Sequence, residues 1–382
     1  MYIYVALLCW CLTLVETRRR IPSDLDAMQD HHYKLLPKLD LHAHLHGSIR
    51  RRTLEELLGP NVKLPSCRDD LQGCFNIFKL IHQAVNSLQL VERIAKEVFT
   101  DFMNDGVIYA ELRSTPRPLA DGTTKRAYIE KLVSLTEDHN RHHGHDMLVR
   151  LIISIDRGSN LQEAEDTLSI VKSLMKSTDT IVGIDFSGNP ISGGEFEHFK
   201  SVLQEARESL LNITVHAAEV AELDDTLEVH SDTSKVLQFK PDRIGHLLFL
   251  KEYHYDKLFS YRDSDAIPIE IAPTSNYFSL GLQKYEDHPT LGALIEKTHP
   301  FVICSDDTGV FGTTLSEEFR HVQMAYKLTL SDLVMISRRS IHYIFDFSLQ
   351  QVLITNFMYK LNLFESAVAR SRDSLSAGNG EL

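Results

Sequence analysis

Cysteine is scarce in this chain of 382 residues: Cys9, Cys11, Cys67, Cys74 and Cys304 are the full set, and no two of them form C-x-x-C. That absence excludes most structural zinc modules and any zinc site built on P-C-x-x-C. An odd count without regular spacing predicts reduced thiols and a cytoplasmic protein. Basic residues are in deficit, 40 Lys and Arg against 53 Asp and Glu, for a net charge of −13. A protein that tracks a nucleic-acid backbone needs the opposite balance, so nucleic-acid partners are not expected. A few local cations could still hold one phosphate. The apolar stretch Tyr2–Val15, followed by Arg18-Arg19-Arg20, is shorter than the roughly 18 residues of a membrane span, so no stable membrane association is expected. It has no basic residue ahead of it and no small-residue cleavage site. A dispensable extension is therefore expected, with a secretory signal as the alternative.

No Pro/Gly/Ser linker, fixed-period repeat or low-complexity block divides the remainder. The expected organisation is an N-terminal extension over 1–34, one domain over 35–365 and a frayed polar tail over 366–382. A monomer is expected. Hydrophobic content of 43% and charged content of 24% are those of an ordinary globular chain.

Short apolar runs alternate with helical spacing. The strand candidates are Lys38–His44, Val107–Arg113, Leu148–Asp156, Ile181–Phe186, Ile213–Ala217, Arg243–His246, Ile267–Ala272 and Phe301–Ser305. Segments such as Leu161–Ser177 and Glu195–Leu211 place apolar residues at helical intervals. Eight such pairs predict an α/β chain folded as a TIM-type (β/α)8 barrel. The long first crossover, Gly47–Gly106, predicts extra helices after strand one. The rival, a doubly wound open sheet, would show a Gly-rich phosphate turn after an early strand, and none is present.

A barrel of this kind carries its chemistry at the C-terminal ends of its strands. Strand one ends in His42-Ala43-His44, and residues i and i+2 of a strand share a face, so both imidazoles can grip one ion. Alone this is weak, because 19 His in 382 residues should give about one H-x-H by chance. His44/His46 and His143/His145 have the same spacing, and His142, His143 and His145 are expected in an exposed loop. The weight comes from the other strand ends, where His216, Glu219, His246, Asp306 and Asp307 follow buried runs. His42, His44, His216 and Asp306 would give one Zn2+ three nitrogens and a carboxylate oxygen, leaving a position where water is activated. Glu219 is the candidate proton donor, His246 the base that helps take the proton from water, and Asp307 an orienting group. Cys304 is expected to be strand packing.

In order, Leu41-His42-Ala43-His44-Leu45, His216-Ala217-Ala218-Glu219, Arg243-Ile244-Gly245-His246, Pro273-Thr274-Ser275-Asn276 and Ser305-Asp306-Asp307 resemble the adenosine/AMP deaminase family of zinc barrels. The resemblance spans Leu36 to Leu363. The run Glu111-Leu112-Arg113-Ser114-Thr115-Pro116-Arg117 is similar to the adenosine deaminase-like branch, which converts N6-methyl-AMP to IMP and methylamine. Hydroxyls and an Arg fork at a barrel mouth suit a 5′-phosphate.

The resemblance implies that zinc-activated water attacks purine C6 while Glu219 protonates N1 and His246 assists the water. It also implies that Asp307 contacts the purine and the Gly188 backbone meets the ring. His44, His82, Ser114, Thr115, Pro116, Arg117 and Asp156 complete the nucleotide pocket. His46 stands where the family usually has Asn or Asp against the sugar, and its imidazole changes charge and reach there while still able to hydrogen-bond the substrate. No Lys ends strand four, so a two-zinc site is not expected. The alternatives are an adenosine deaminase, or a catalytically inactive secreted binding protein.

Overall fold

Strands buried on both faces lose their polar alternation and run as apolar stretches, and that is how this sheet is built. The computed structural model describes residues 29–65, 67, 71–222, 227–261 and 265–378. Its strands are β1 Lys38–His44, β2 Val107–Ser114, β3 Leu148–Asp156, β4 Ile181–Ser187, β5 Asn212–Ala217, β6 Arg243–His246, β7 Ile269–Ile271 and β8 Phe301–Ile303. They pair in parallel and in chain order, and every residue of β2 is buried. Helices cross between them, so the expected (β/α)8 barrel is the fold found. Closure falls on the expected ligands. Ala43 bridges to Asp306, His44 N–H donates to the Asp306 carbonyl at 2.9 Å, and Asp306 N–H donates to the His42 carbonyl at 2.8 Å.

Strands β7 and β8 are shorter than their apolar runs. Pro268 has no N–H to pair, and Pro273 opens the short Pro273–Ser279 helix. After Ile303 the chain turns out through Asp306, whose φ is +58°. His246 at +66° and Ala218 at +53° also sit in the left-handed region, which costs a non-glycine residue of order 1–3 kcal/mol. All three lie at the C-terminal mouth, where side chains are re-aimed off the strands.

The first crossover is helical, as expected: Arg51–Leu58, Leu71–Ala84 and Leu88–Asn104. The Leu71–Ala84 helix lies over the mouth and lends it Phe75, Phe78, Lys79 and His82. Local signals fix the outer helices. At Leu161–Leu174, Asn160 accepts from Glu163 N–H at 2.9 Å, while the Glu163 carboxylate accepts from Asn160 N–H. Such a cap contributes about 1 kcal/mol.

Four expectations are corrected. Asp30–Leu35 is a helix, not part of an extension, because Tyr33 is buried and donates to Gln323 at 2.6 Å. The last helix runs Gln350–Gly378, through what was expected to be a tail beginning at 366. His142 and His143 end the Lys125–His143 helix rather than lying in a loop, although both are exposed. Cys67 and Cys74 are joined as a disulfide, against the expectation of reduced thiols. Cys304 is buried, as expected. Tyr2–Val15 lies outside the described residues. Among the described residues, no helix is long and apolar enough to cross a membrane.

Candidate active site

The four anticipated ligands converge. The His44 and His216 Nε2 atoms are 3.1 Å apart, and the Asp306 carboxylate lies 3.3 Å from His42 Nε2 and 3.5 Å from His44 Nε2. Tetrahedral zinc with bonds of about 2.05 Å needs ligand separations of about 3.3 Å. Among the described residues this is the metal-capable cluster.

Protonation logic agrees. Burial alone would raise Glu270 and Asp185, but Arg113 and Arg243 beside Glu270, and His216 and Arg113 beside Asp185, hold both well below the usual carboxylate range. Ionised carboxylates only accept, so His42 Nδ1–H donates to Glu270 at 2.7 Å and His216 Nδ1–H to Asp185 at 2.9 Å. In the neutral rings a ligand needs, the Nε2 lone pairs then face inward, and buried His42 Nε2 has no hydrogen-bond partner. Lone pairs and a carboxylate crowded this closely repel unless a cation sits among them. The residues present fit a zinc ion.

Glu270, Asp185 and Arg113 were missed in the sequence as functional groups. Arg113 joins the two carboxylates, donating to Asp185 at 3.2 Å, to Glu270 at 2.8 Å and to the Leu41 carbonyl at 2.8 Å. Arg243 ties Glu270 to Glu111, with 2.6 Å to each. All five side chains are fully buried. The available signal was charge inside buried strands, as in Gly183-Ile184-Asp185-Phe186 and Ile269-Glu270-Ile271, since unpaired burial of charge is prohibitive.

Gly245 matters for the same reason. A Cβ there would lie 2.8 Å from His42 Cε1 and 3.1 Å from its Nδ1. Gly245→Ala is expected to displace the ring and weaken metal retention at least about tenfold, as loss of ligand support does. Metal content after dialysis against graded chelator checks this; wild-type retention would contradict it.

A cavity of about 340 Å3 opens above the cluster and is lined by His44, His46, His82, Ser114, Thr115, Asp156, Gly188, His216, Glu219, His246, Asp306 and Asp307. A larger hollow of about 710 Å3 near Pro268 and Pro300 lies at the opposite, N-terminal ends of the strands, the face that serves stability in such barrels. Glu219 is part-buried, its side chain 11% exposed, its Oε2 is 3.8 Å from His246 Nε2, and its Oε1 is unpartnered. Burial pushes its carboxyl pKa up, against the pull of His216 and Arg157. Asp307 is raised by burial and by Asp306 and Glu219 beside it, and its Oδ1 is also unpartnered.

Two expected residues do not line the cavity. They are Pro116 and Arg117. Arg117 donates to His46 Nε2 at 3.3 Å and to the Val85 carbonyl at 2.7 Å. A guanidinium only donates, so His46 accepts at Nε2 and keeps its proton on Nδ1. Lys79, not anticipated, lines the cavity instead. His82 is held neutral, its pKa lowered to about 4 by burial and by Arg117.

A family model described as adenosine deaminase matches residues 37–351. The N6-methyl-AMP deaminase of Bos taurus is 35% identical over 327 residues, 82% of this chain and 91% of that protein. The N6-mAMP deaminase of Arabidopsis thaliana is 35% identical over 340 residues, 80% of this chain and 91% of that protein. The solved structure of an ADAL-IMP complex superposes with a TM-score of 0.76 at 32% identity, covering 90% of this chain and 100% of that one. The chain belongs to the adenosine deaminase family and is a hydrolytic deaminase acting on purines.

Proposed function

We propose that this protein hydrolyses N6-methyl-AMP to IMP and methylamine, using one zinc ion held by His42, His44, His216 and Asp306. The observation that carries this reading is a single cavity joining that cluster to a wall with Lys79, His82, Ser114 and Thr115. Relatives named N6-methyl-AMP deaminase, and a neighbour solved with IMP, support it. Bound zinc would lower the pKa of a water and supply the nucleophile.

The chain's own residues do the rest. Glu219, whose carboxyl pKa burial raises, gives its proton to purine N1 as C6 is attacked. Asp307, with a free carboxyl oxygen, orients the ring against the Gly188 backbone. His246 hydrogen-bonds the attacking water, and Asp156 closes the wall beside Gly188. Ser114, Thr115, Lys79 and His82 meet the phosphate, while His46 presents its Nδ1–H to the sugar or phosphate with Arg117 fixing its ring. Adenosine would leave Lys79 without its anion.

Lys79→Ala is expected to raise KM for N6-methyl-AMP about tenfold, the worth of one charge-assisted hydrogen bond, with kcat and adenosine kinetics unchanged. Arg117→Ala is expected to raise the same KM through His46. If neither moves KM, the phosphate is not held here. The Cys67–Cys74 disulfide is expected in the isolated protein. Alkylation before and after reduction, read by mass spectrometry, tests which form the isolated protein carries.

A further inference from the structure

Behind His246 lies a buried hydrogen-bond chain. The Asn276 side-chain amide nitrogen is 3.0 Å from His246 Nδ1, and its oxygen is 3.0 Å from His288 Nε2. His288 Nδ1 faces two peptide N–H groups, of Thr290 at 3.3 Å and Leu291 at 3.2 Å. All three side chains are buried: His246 is 3% exposed, Asn276 1% and His288 6%.

Peptide N–H groups can only donate, and this fixes every later proton. His288 Nδ1 must be bare, so its proton is on Nε2. Burial, which lowers the His288 pKa to about 4, agrees with a single ring proton. His288 Nε2–H then donates to the Asn276 oxygen, which turns the amide NH2 to His246. His246 Nδ1 accepts and is bare, so its proton is on Nε2. Flipping the Asn276 amide would set NH2 against N–H at His288, so the opposite assignment fails.

We propose that Asn276 and His288 are positioning residues that lock His246 in its Nε2–H form, so that it meets the attacking water as a hydrogen-bond donor. Its Nε2 faces Glu219 across 3.8 Å, and its ring centroid lies 5.0 Å from that of His42 and 5.1 Å from that of His216. A protonated Nε2 has no lone pair to receive a proton. His246 therefore does not act as the base toward that water, which differs from the role expected from the sequence.

The proposal rests on the deaminase reading for its consequence, not for its geometry. Histidine labelled with 15N on the ring, in the protein purified with its metal, gives spectra that distinguish bare from protonated ring nitrogens. His246→Gln identifies the His246 signals by their loss. The expected result is a bare Nδ1 and a protonated Nε2, and the reverse pattern overturns the proposal. Asn276→Asp keeps the size but only accepts, so it is expected to move the proton to Nδ1. It should lower kcat about tenfold or more, within the range for residues that orient active groups, and leave KM within about twofold. Wild-type kcat together with a shifted proton would show that the tautomer does not matter and would overturn the catalytic consequence. The wild-type spectra decide the tautomer whether or not N6-methyl-AMP is turned over, so the two readings fail separately.

Discussion

Glu219→Gln is expected to retain zinc and lose turnover by about 10³-fold, within the range for removing a positioned general acid. The amide matches the carboxyl in size, and no metal ligand is touched, since Glu219 does not belong to the cluster of His42, His44, His216 and Asp306. What is lost is a transferable proton. Burial supplies it by raising the Glu219 pKa, and the unpartnered Oε1 is free to meet a ring nitrogen. An Asp306→Ala control should lose metal and turnover together. Metal analysis beside steady-state rates separates the two cases. Near-full activity in Glu219→Gln would remove Glu219 from the proton-donor role.

Arg113→Met is the second large effect, and it acts through two histidines that Arg113 does not touch. Its guanidinium neutralises Asp185 and Glu270 together, at 3.2 and 2.8 Å. Those carboxylates orient His216 and His42. Removing the shared cation leaves buried Asp185 without a guanidinium and Glu270 with Arg243 alone, a loss on the order of 3–5 kcal/mol of stability. Loosened imidazoles should also weaken zinc binding by about 10- to 100-fold. Arg113→Lys, which keeps the charge without the fork, is expected to fall between. Denaturant unfolding and chelator competition measure the two effects separately. Unchanged zinc affinity in a folded Arg113→Met protein would mean that the network serves stability alone.

What was legible in the sequence follows from this geometry. His42, His44, His216 and Asp306 stand out because each follows a buried apolar run, and the barrel places those ends on one face. Asp185 and Glu270 were hidden because they lie inside strands, where a charged residue reads as an interruption until its partner is known. That partner, Arg113, is 72 residues from Asp185 and 157 from Glu270, and no local pattern links them. For Arg117, residue type suggested a phosphate fork, and no local pattern showed that its guanidinium also reaches His46 and the Val85 carbonyl. Strand boundaries near Pro268 and Asp306 depended on a missing N–H and a left-handed turn, and periodicity reports neither. The proton on His246 was beyond any sequence reading, because backbone N–H groups at Thr290 and Leu291 determine it.

The central claim is that one zinc site here works on a purine nucleotide bearing an N6-methyl group. Incubating purified protein of measured metal content with N6-methyl-AMP and, separately, with adenosine tests it most directly, with IMP, inosine and methylamine quantified. IMP and methylamine are expected in equal amounts, at a kcat/KM above that for adenosine. Faster inosine formation from adenosine, or no methylamine from protein carrying one zinc per chain, would contradict it.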